Sequence, residues 1–283
     1  MRKIVLSADS ACDLDERLRE EYGVNICPYH VILGEKHYQD GVDITPDQIY
    51  EVYYRDKILP KTAAINPQDF IDRFKPWIED GYEVIHVSLS SAITSSYQNC
   101  CLAAKELSNV YPVDSRSLST GFGLLVIEAA KRIAQGMPAI QIQEELNTLR
   151  QKIEASFILD NLTFMHAGGR CSGVAALGAN ILNIKPCIEV ENATGKMRVG
   201  KKYRGTLEKV LKKYTEDRLS GRTDLNLERV FITHTGIAPE IEELVKNTIR
   251  ENADFEEILV TRAGCTVSSH SGPNTLGVLF LRK

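Results

Sequence analysis

Apolar residues recur along this chain with two different periods. Short β-branched runs, "KIVLSADS" (3–10), "EVIHVSL" (83–89) and "VYPVDS" (110–115), alternate with segments whose apolar positions return every three or four residues. That alternation predicts strands joined by helices. "DLDERLREEYG" reads as a helix stopping at Gly23, and "NICPYHVIL" (25–33) as the next strand. Thr45-Pro46-Asp47-Gln48 combines a capping hydroxyl, a proline at the first helical position and a Gln three residues on. Asn66-Pro67 repeats the device ahead of "QDFIDRFKPWIEDG". Helices are also predicted over "SSYQNCCLAAKELS", "FGLLVIEAAKRIAQG" and "PAIQIQEELNTLRQKIEAS" (138–156). The pattern predicts an N-terminal α/β domain over 1–153, with a mostly parallel sheet and flanking helices.

The rhythm changes after residue 154. "SFILDNLTFMHAGGRCSG" reads as a strand or short helix running into a glycine-rich bend. "VAALGANILNI" (174–184) is apolar on nearly all sides and reads as a buried helix. "KPCIEVENATGKMRVGKKY" predicts two strands joined by a turn at Asn192–Gly195. Helices over "GTLEKVLKKYTEDRLSG" and "PEIEELVKNTIREN" then alternate with strands over "LERVFITHTG" and "FEEILVTR", and "LGVLFLR" is the last strand. These make a C-terminal α/β domain over 154–283 with a mixed sheet.

Length and charge narrow the function. A chain of 283 residues can bury a large core, and 43% hydrophobic with 25% charged residues is ordinary for a soluble protein. A net charge of -4 argues against a nucleic-acid surface. No apolar run reaches the length of a membrane span, and "MRKIVLSADS" lacks the core of a signal peptide. The seven cysteines include no C-x-x-C spacing, so neither a zinc site nor a disulfide framework is expected, and free thiols suit a cytoplasmic location. Gly121-Phe122-Gly123 starts like a dinucleotide fingerprint, but Val126 replaces the third glycine, which favours close helix packing instead.

Ligands of parallel α/β sheets bind beyond the carboxyl ends of the strands. That rule points to Asp9-Ser10, Ser88 to Ser96, and Asp114-Ser115. Near the C-terminus, "VSSHSGPNTLG" places His270 on a tight turn formed by Gly272, Pro273 and Asn274, which suits a ligand contact or a plain surface loop. Thr62, Thr94 to Ser96 and His270 supply hydroxyl donors and an imidazole without a metal cluster, a set suited to an anionic head group. A helix starting near Ser95 adds free backbone N–H groups. Lys196 to Lys213 carries eight Lys or Arg against one Glu, either a solvated face or a docking surface for an acidic partner or a phosphate.

The chain resembles the DegV family of bacterial fatty-acid-binding proteins nearly end to end. The likeness rests on "DSACDL", "DGVDIT", Thr62, "SLSSAITSSYQ", "VDSRSLSTGFG", "HAGGR", "NIKPCIEV", "YRG" and "HSGPNTLG" in order. The resemblance implies two α/β domains with the ligand site between them, in a lipid-carrying subunit without catalysis of its own. It would hold a long-chain fatty acid such as palmitate and present it to a separate fatty-acid kinase that makes an acyl phosphate. Its carboxylate ligands would fall on Thr62, Thr94 and His270, with Ser95 as a second choice beside Thr94. Arg170 and Arg204 would face the kinase or the phosphate. The chain departs from the family where "LSGT" reads "ITSS" and "HxGPG" reads "HSGPN". No cofactor other than the bound acid is expected. The alternatives are a hydrolase or acyltransferase pairing a Ser/Thr hydroxyl with His270, and a sugar- or phosphate-binding regulator using the basic face.

Overall fold

Proline, glycine and β-branched residues divide the chain into thirteen strands and the helices between them, in a computed structural model that describes residues 3–175 and 184–283. In chain order the strands are β1 (Ile4–Asp9), β2 (Val24–Cys27), β3 (His30–Leu33), β4 (Lys36–Gln39), β5 (Lys61–Ala63), β6 (Glu83–Ser88) and β7 (Val110–Asp114). They continue as β8 (Ile153–Ile158), β9 (Ile184–Val190), β10 (Met197–Arg204), β11 (Leu225–His234), β12 (Glu257–Arg262) and β13 (Leu276–Arg282). β2-β1-β6-β7 form a parallel sheet. β10-β9-β8-β13-β11-β12 form a mixed sheet in which only β11 and β12 run parallel. The architecture is α/β throughout, as the alternating pattern implied.

The helix caps follow local chemistry. Thr45 and Asn66 each form a complete capping box, and each helix carries proline in its first turn. The helix Thr120–Ala134 is buried along most of its length, and its glycines explain how it packs. A Cβ on Gly121 would lie 3.1 Å from Ala155 Cβ, and one on Gly123 would lie 2.9 Å from the Cys12 carbonyl oxygen. The Gly-Phe-Gly run therefore serves packing, not a dinucleotide. Apolar residues from both sheets, including Leu6, Val87, Phe157 and Leu279, share one core with this helix.

Four expectations change. "NICPYHVIL" is two strands, because Pro28 has no N–H to continue a ladder: β2 joins the parallel sheet and β3 a separate antiparallel sheet, β4-β3-β5. That small sheet had no counterpart in the sequence reading, and it registers Thr62 opposite Val31. The helix expected over 138–156 stops at Leu149, and Ile153 onward becomes β8, held between β9 and β13. His270 is not on a turn but on the helix Cys265–Ser271. The turn follows it, with Gly272 at φ 75° and Asn274 at φ 61°. The helix expected over "VAALGANILNI" falls mostly outside the described residues, with only Val174 and Ala175 in a short helix, Ser172–Ala175, and Ile184 opening β9.

Candidate functional site

The helix that carries His270 is short and serine-rich, so it has little intrinsic reason to form. Its N-terminus is held from far away in the chain. Asp13 Oδ1 accepts from Gly264 N at 2.8 Å, and the Asp40 carboxylate accepts from Cys265 N at 2.7 Å and Thr266 N at 3.1 Å. Both side chains are buried, and their oxygens satisfy the free N–H groups of the helix's first turn. Ser10 donates to Asp40 and Ser119 to Asp13, the latter at 2.5 Å. Burial pushes the Asp13 carboxyl up to about 8 against its hydrogen bonds from Ser119 and Gly264, with Asp40 adding to the rise. Two acidic residues from the first forty thus orient a helix at the far end of the chain.

From that helix the His270 ring meets Thr62 on β5, with Nε2 and Oγ1 2.7 Å apart. Its other nitrogen, Nδ1, is buried without a hydrogen-bond partner among the described residues. The ring lies against Gly168, where an added Cβ would come within 2.3 Å of Nδ1, so that glycine is the space the imidazole occupies. Burial pushes the His270 pKa down to about 4, and the nearby Arg170 guanidinium adds to the fall. The imidazole is therefore neutral near pH 7 and, among the described residues, faces a positive neighbour and no carboxylate.

Thr94 approaches from the loop after β6. Ser95 is the N-cap residue of the helix Ser96–Glu106, as the sequence suggested, but its side chain makes no capping bond. Thr94 Oγ1 accepts from Ser96 N at 3.3 Å and lies 3.4 Å from the Tyr29 hydroxyl. Tyr29 in turn donates to Asp9 Oδ2 at 3.2 Å, and burial pushes its own pKa well above the usual phenol value, with Asp9 adding to it. Asp9 also accepts from Leu89 N at 2.8 Å and pairs with His86 Nε2 at 3.0 Å. The carboxylates at the ends of β1 and β7 are thus consumed internally: Asp114 accepts from Ser91 N, Ser91 Oγ and Arg116 N. What the parallel sheet offers a ligand is hydroxyls.

These groups open on one cavity of about 240 Å³ between the two larger sheets. Thr62, Thr94, Ser95, His270 and Arg170 all line it. Its walls are mainly apolar, with Leu89 and Ile93 from the β6 loop, Phe157 and Leu279 from β8 and β13, and Met165 and Val267 from two helices. Arg204 is the exception among the expected residues: it sits exposed at the end of β10 and does not line the cavity. The basic stretch around it is partly neutralised, since Arg198 pairs with Glu189, and Lys201 and Lys213 pair with Asp217. Tyr29, Ser119 and Thr266 also line the cavity and escaped the sequence reading. The acidic residues of "DSACDL" and "DGVDIT" were the available signal, since Tyr29 donates to Asp9, Ser119 to Asp13 and Thr266 N to Asp40.

Among the described residues no group of three or more His, Cys, Asp or Glu is placed to hold a metal. No helix among them is long and apolar enough to cross a membrane. All seven cysteines are free.

A family model described as "Uncharacterised protein, DegV family" matches residues 3–283. A DegV domain-containing protein of Clostridium perfringens is 32% identical over 287 residues, covering all of both chains. Two solved structures share the fold over the whole chain. A fatty-acid-binding DegV family protein from Thermus thermophilus is 28% identical, with a TM-score of 0.88 and all of both chains covered. A stearic-acid-binding protein from Eubacterium ventriosum is 26% identical, with a TM-score of 0.83, covering 100% of this chain and 99% of that one.

Proposed function

The chain belongs to the DegV family, and on that premise we propose that it binds a long-chain fatty acid in the cavity between its sheets. The observation that carries this reading is the Thr62–His270 pair, 2.7 Å apart at the wall of a mainly apolar cavity. When the acid binds, the Thr62–His270 hydrogen bond gives way, the hydroxyl and the Nε2–H of the neutral ring can each donate to a carboxylate oxygen, and Arg170 supplies a favourable field. Thr94 and Ser95 complete the head-group shell from the opposite loop. About fifteen methylenes at ~0.8 kcal/mol each give on the order of 12 kcal/mol gross for burying a palmitate chain, so losses to immobilisation still leave tight binding.

The protein acts as a carrier in this reading, and a separate fatty-acid kinase makes the acyl phosphate. Arg170, exposed at the cavity, and Arg204, exposed on β10, would face that partner or the incoming phosphate. Free thiols at all seven cysteines support a cytoplasmic setting. A hydrolase using His270 as base has less support, because the acid that orients a catalytic imidazole is missing from Nδ1 among the described residues. Mass spectrometry of an organic extract of the freshly purified, denatured protein tests the reading. One long-chain fatty acid per chain is expected; an empty extract together with no uptake of added palmitate would overturn it.

A further inference from the structure

The helix Cys265–Ser271 treats its hydroxyls unequally. Ser268 donates to the Ala263 carbonyl and Ser271 to the Val267 carbonyl, the usual way for a helical hydroxyl to satisfy itself. Thr266 does not. Its Oγ1 is buried without a hydrogen-bond partner among the described residues, in a residue only 3% exposed. Ser269 shares that lack of a partner but does not line the cavity, whereas Thr266 does. Its backbone is fixed, because Thr266 N donates to the buried Asp40 carboxylate. A valine would fill the same volume without leaving a polar atom unpaired, so a hydroxyl here makes sense when a ligand supplies the missing partner.

Thr266 and His270 are four residues apart and lie on one face of the helix, about 6 Å along its axis. That distance spans a few carbon–carbon bonds. Resting on the fatty-acid reading above, we propose that Thr266 hydrogen-bonds an oxygen carried on the acyl chain a few carbons from the carboxylate. The cavity then takes hydroxylated long-chain acids as well as plain ones. The carboxylate stays with Thr62 and His270, and the chain hydroxyl satisfies Thr266.

Binding of palmitate, 3-hydroxypalmitate and 5-hydroxypalmitate to the full chain, compared with Thr266→Val and Thr266→Ser, tests this. The wild-type protein is expected to bind at least one hydroxy acid no more weakly than palmitate. Thr266→Val should weaken that hydroxy acid about tenfold while leaving palmitate unchanged or tighter, and Thr266→Ser should restore the preference. Equal loss for all three acids would make Thr266 a carboxylate ligand and overturn the proposal, as would a wild-type protein that rejects both hydroxy acids while binding palmitate. Failure to bind any of the three overturns the fatty-acid reading itself, and the proposal with it.

Discussion

Two buried imidazoles in this protein meet opposite fates. His86, inside the parallel sheet, has Ser7 on Nδ1 and the Asp9 carboxylate on Nε2, each at 3.0 Å. Burial alone would lower its pKa, but the Asp9 hydrogen bond and Cys27 outweigh it and raise it to about 9. His270, at the cavity, has a hydroxyl on one nitrogen and nothing on the other, and burial lowers its pKa to about 4. The same side chain is a cation held by a carboxylate in one place and, among the described residues, a neutral ring held only by a hydroxyl in the other. What differs is a carboxylate: the fold supplies one to His86 and withholds one from His270. A fatty acid brings its own.

The comparison breaks most severely at Asp9. Asp9→Asn removes the partner of a fully buried imidazolium and should cost about 3 kcal/mol or more of stability, read by urea unfolding. The sign over pH follows from the raised pKa. The His86 contribution is complete below its unfolded value near 6.5 and is lost as pH rises through about 9. In Asp9→Asn that alkaline loss should vanish, and a variant as stable as the wild type at pH 7 would break the comparison. His270→Ala should do the reverse. It removes no ion pair, so the fold should hold, while palmitate affinity falls by about 1.5–3 kcal/mol, the worth of a hydrogen bond to a charged group. Unchanged affinity by titration would remove His270 from the site.

Much of the scaffold was legible because its signals are local. Thr45 and Asn66 cap their helices through residues three positions on, and the β13 run "LGVLFLR" matches the observed strand residue for residue. The site was legible only as a set of residue types. Thr62, Thr94 and His270 do line one cavity, yet His270 was expected on a turn. Its helix escaped notice because its N-terminal hydrogen bonds go to Asp13 and Asp40, more than 200 residues away in the chain, where no sequence window reaches. Tyr29 was missed for a related reason. Its strand run is broken by Pro28, and its hydroxyl acquires meaning only beside Asp9 and Thr94. Residues 153–156 read as helix because Glu, Ala and Ser tolerate one; pairing with β9 and β13 on either side decides for strand.

If His270 is the residue that receives a carboxylate, its own titration will show it. His270 should be followed by NMR from pH 3 to 8, with and without bound palmitate. In the free protein its pKa should lie near 4, so the neutral ring stabilises the fold above about 6.5, and that contribution is lost as pH falls through 4. With palmitate bound, the adjacent carboxylate should raise the value by one unit or more. A His270 that titrates identically in both states would contradict the account.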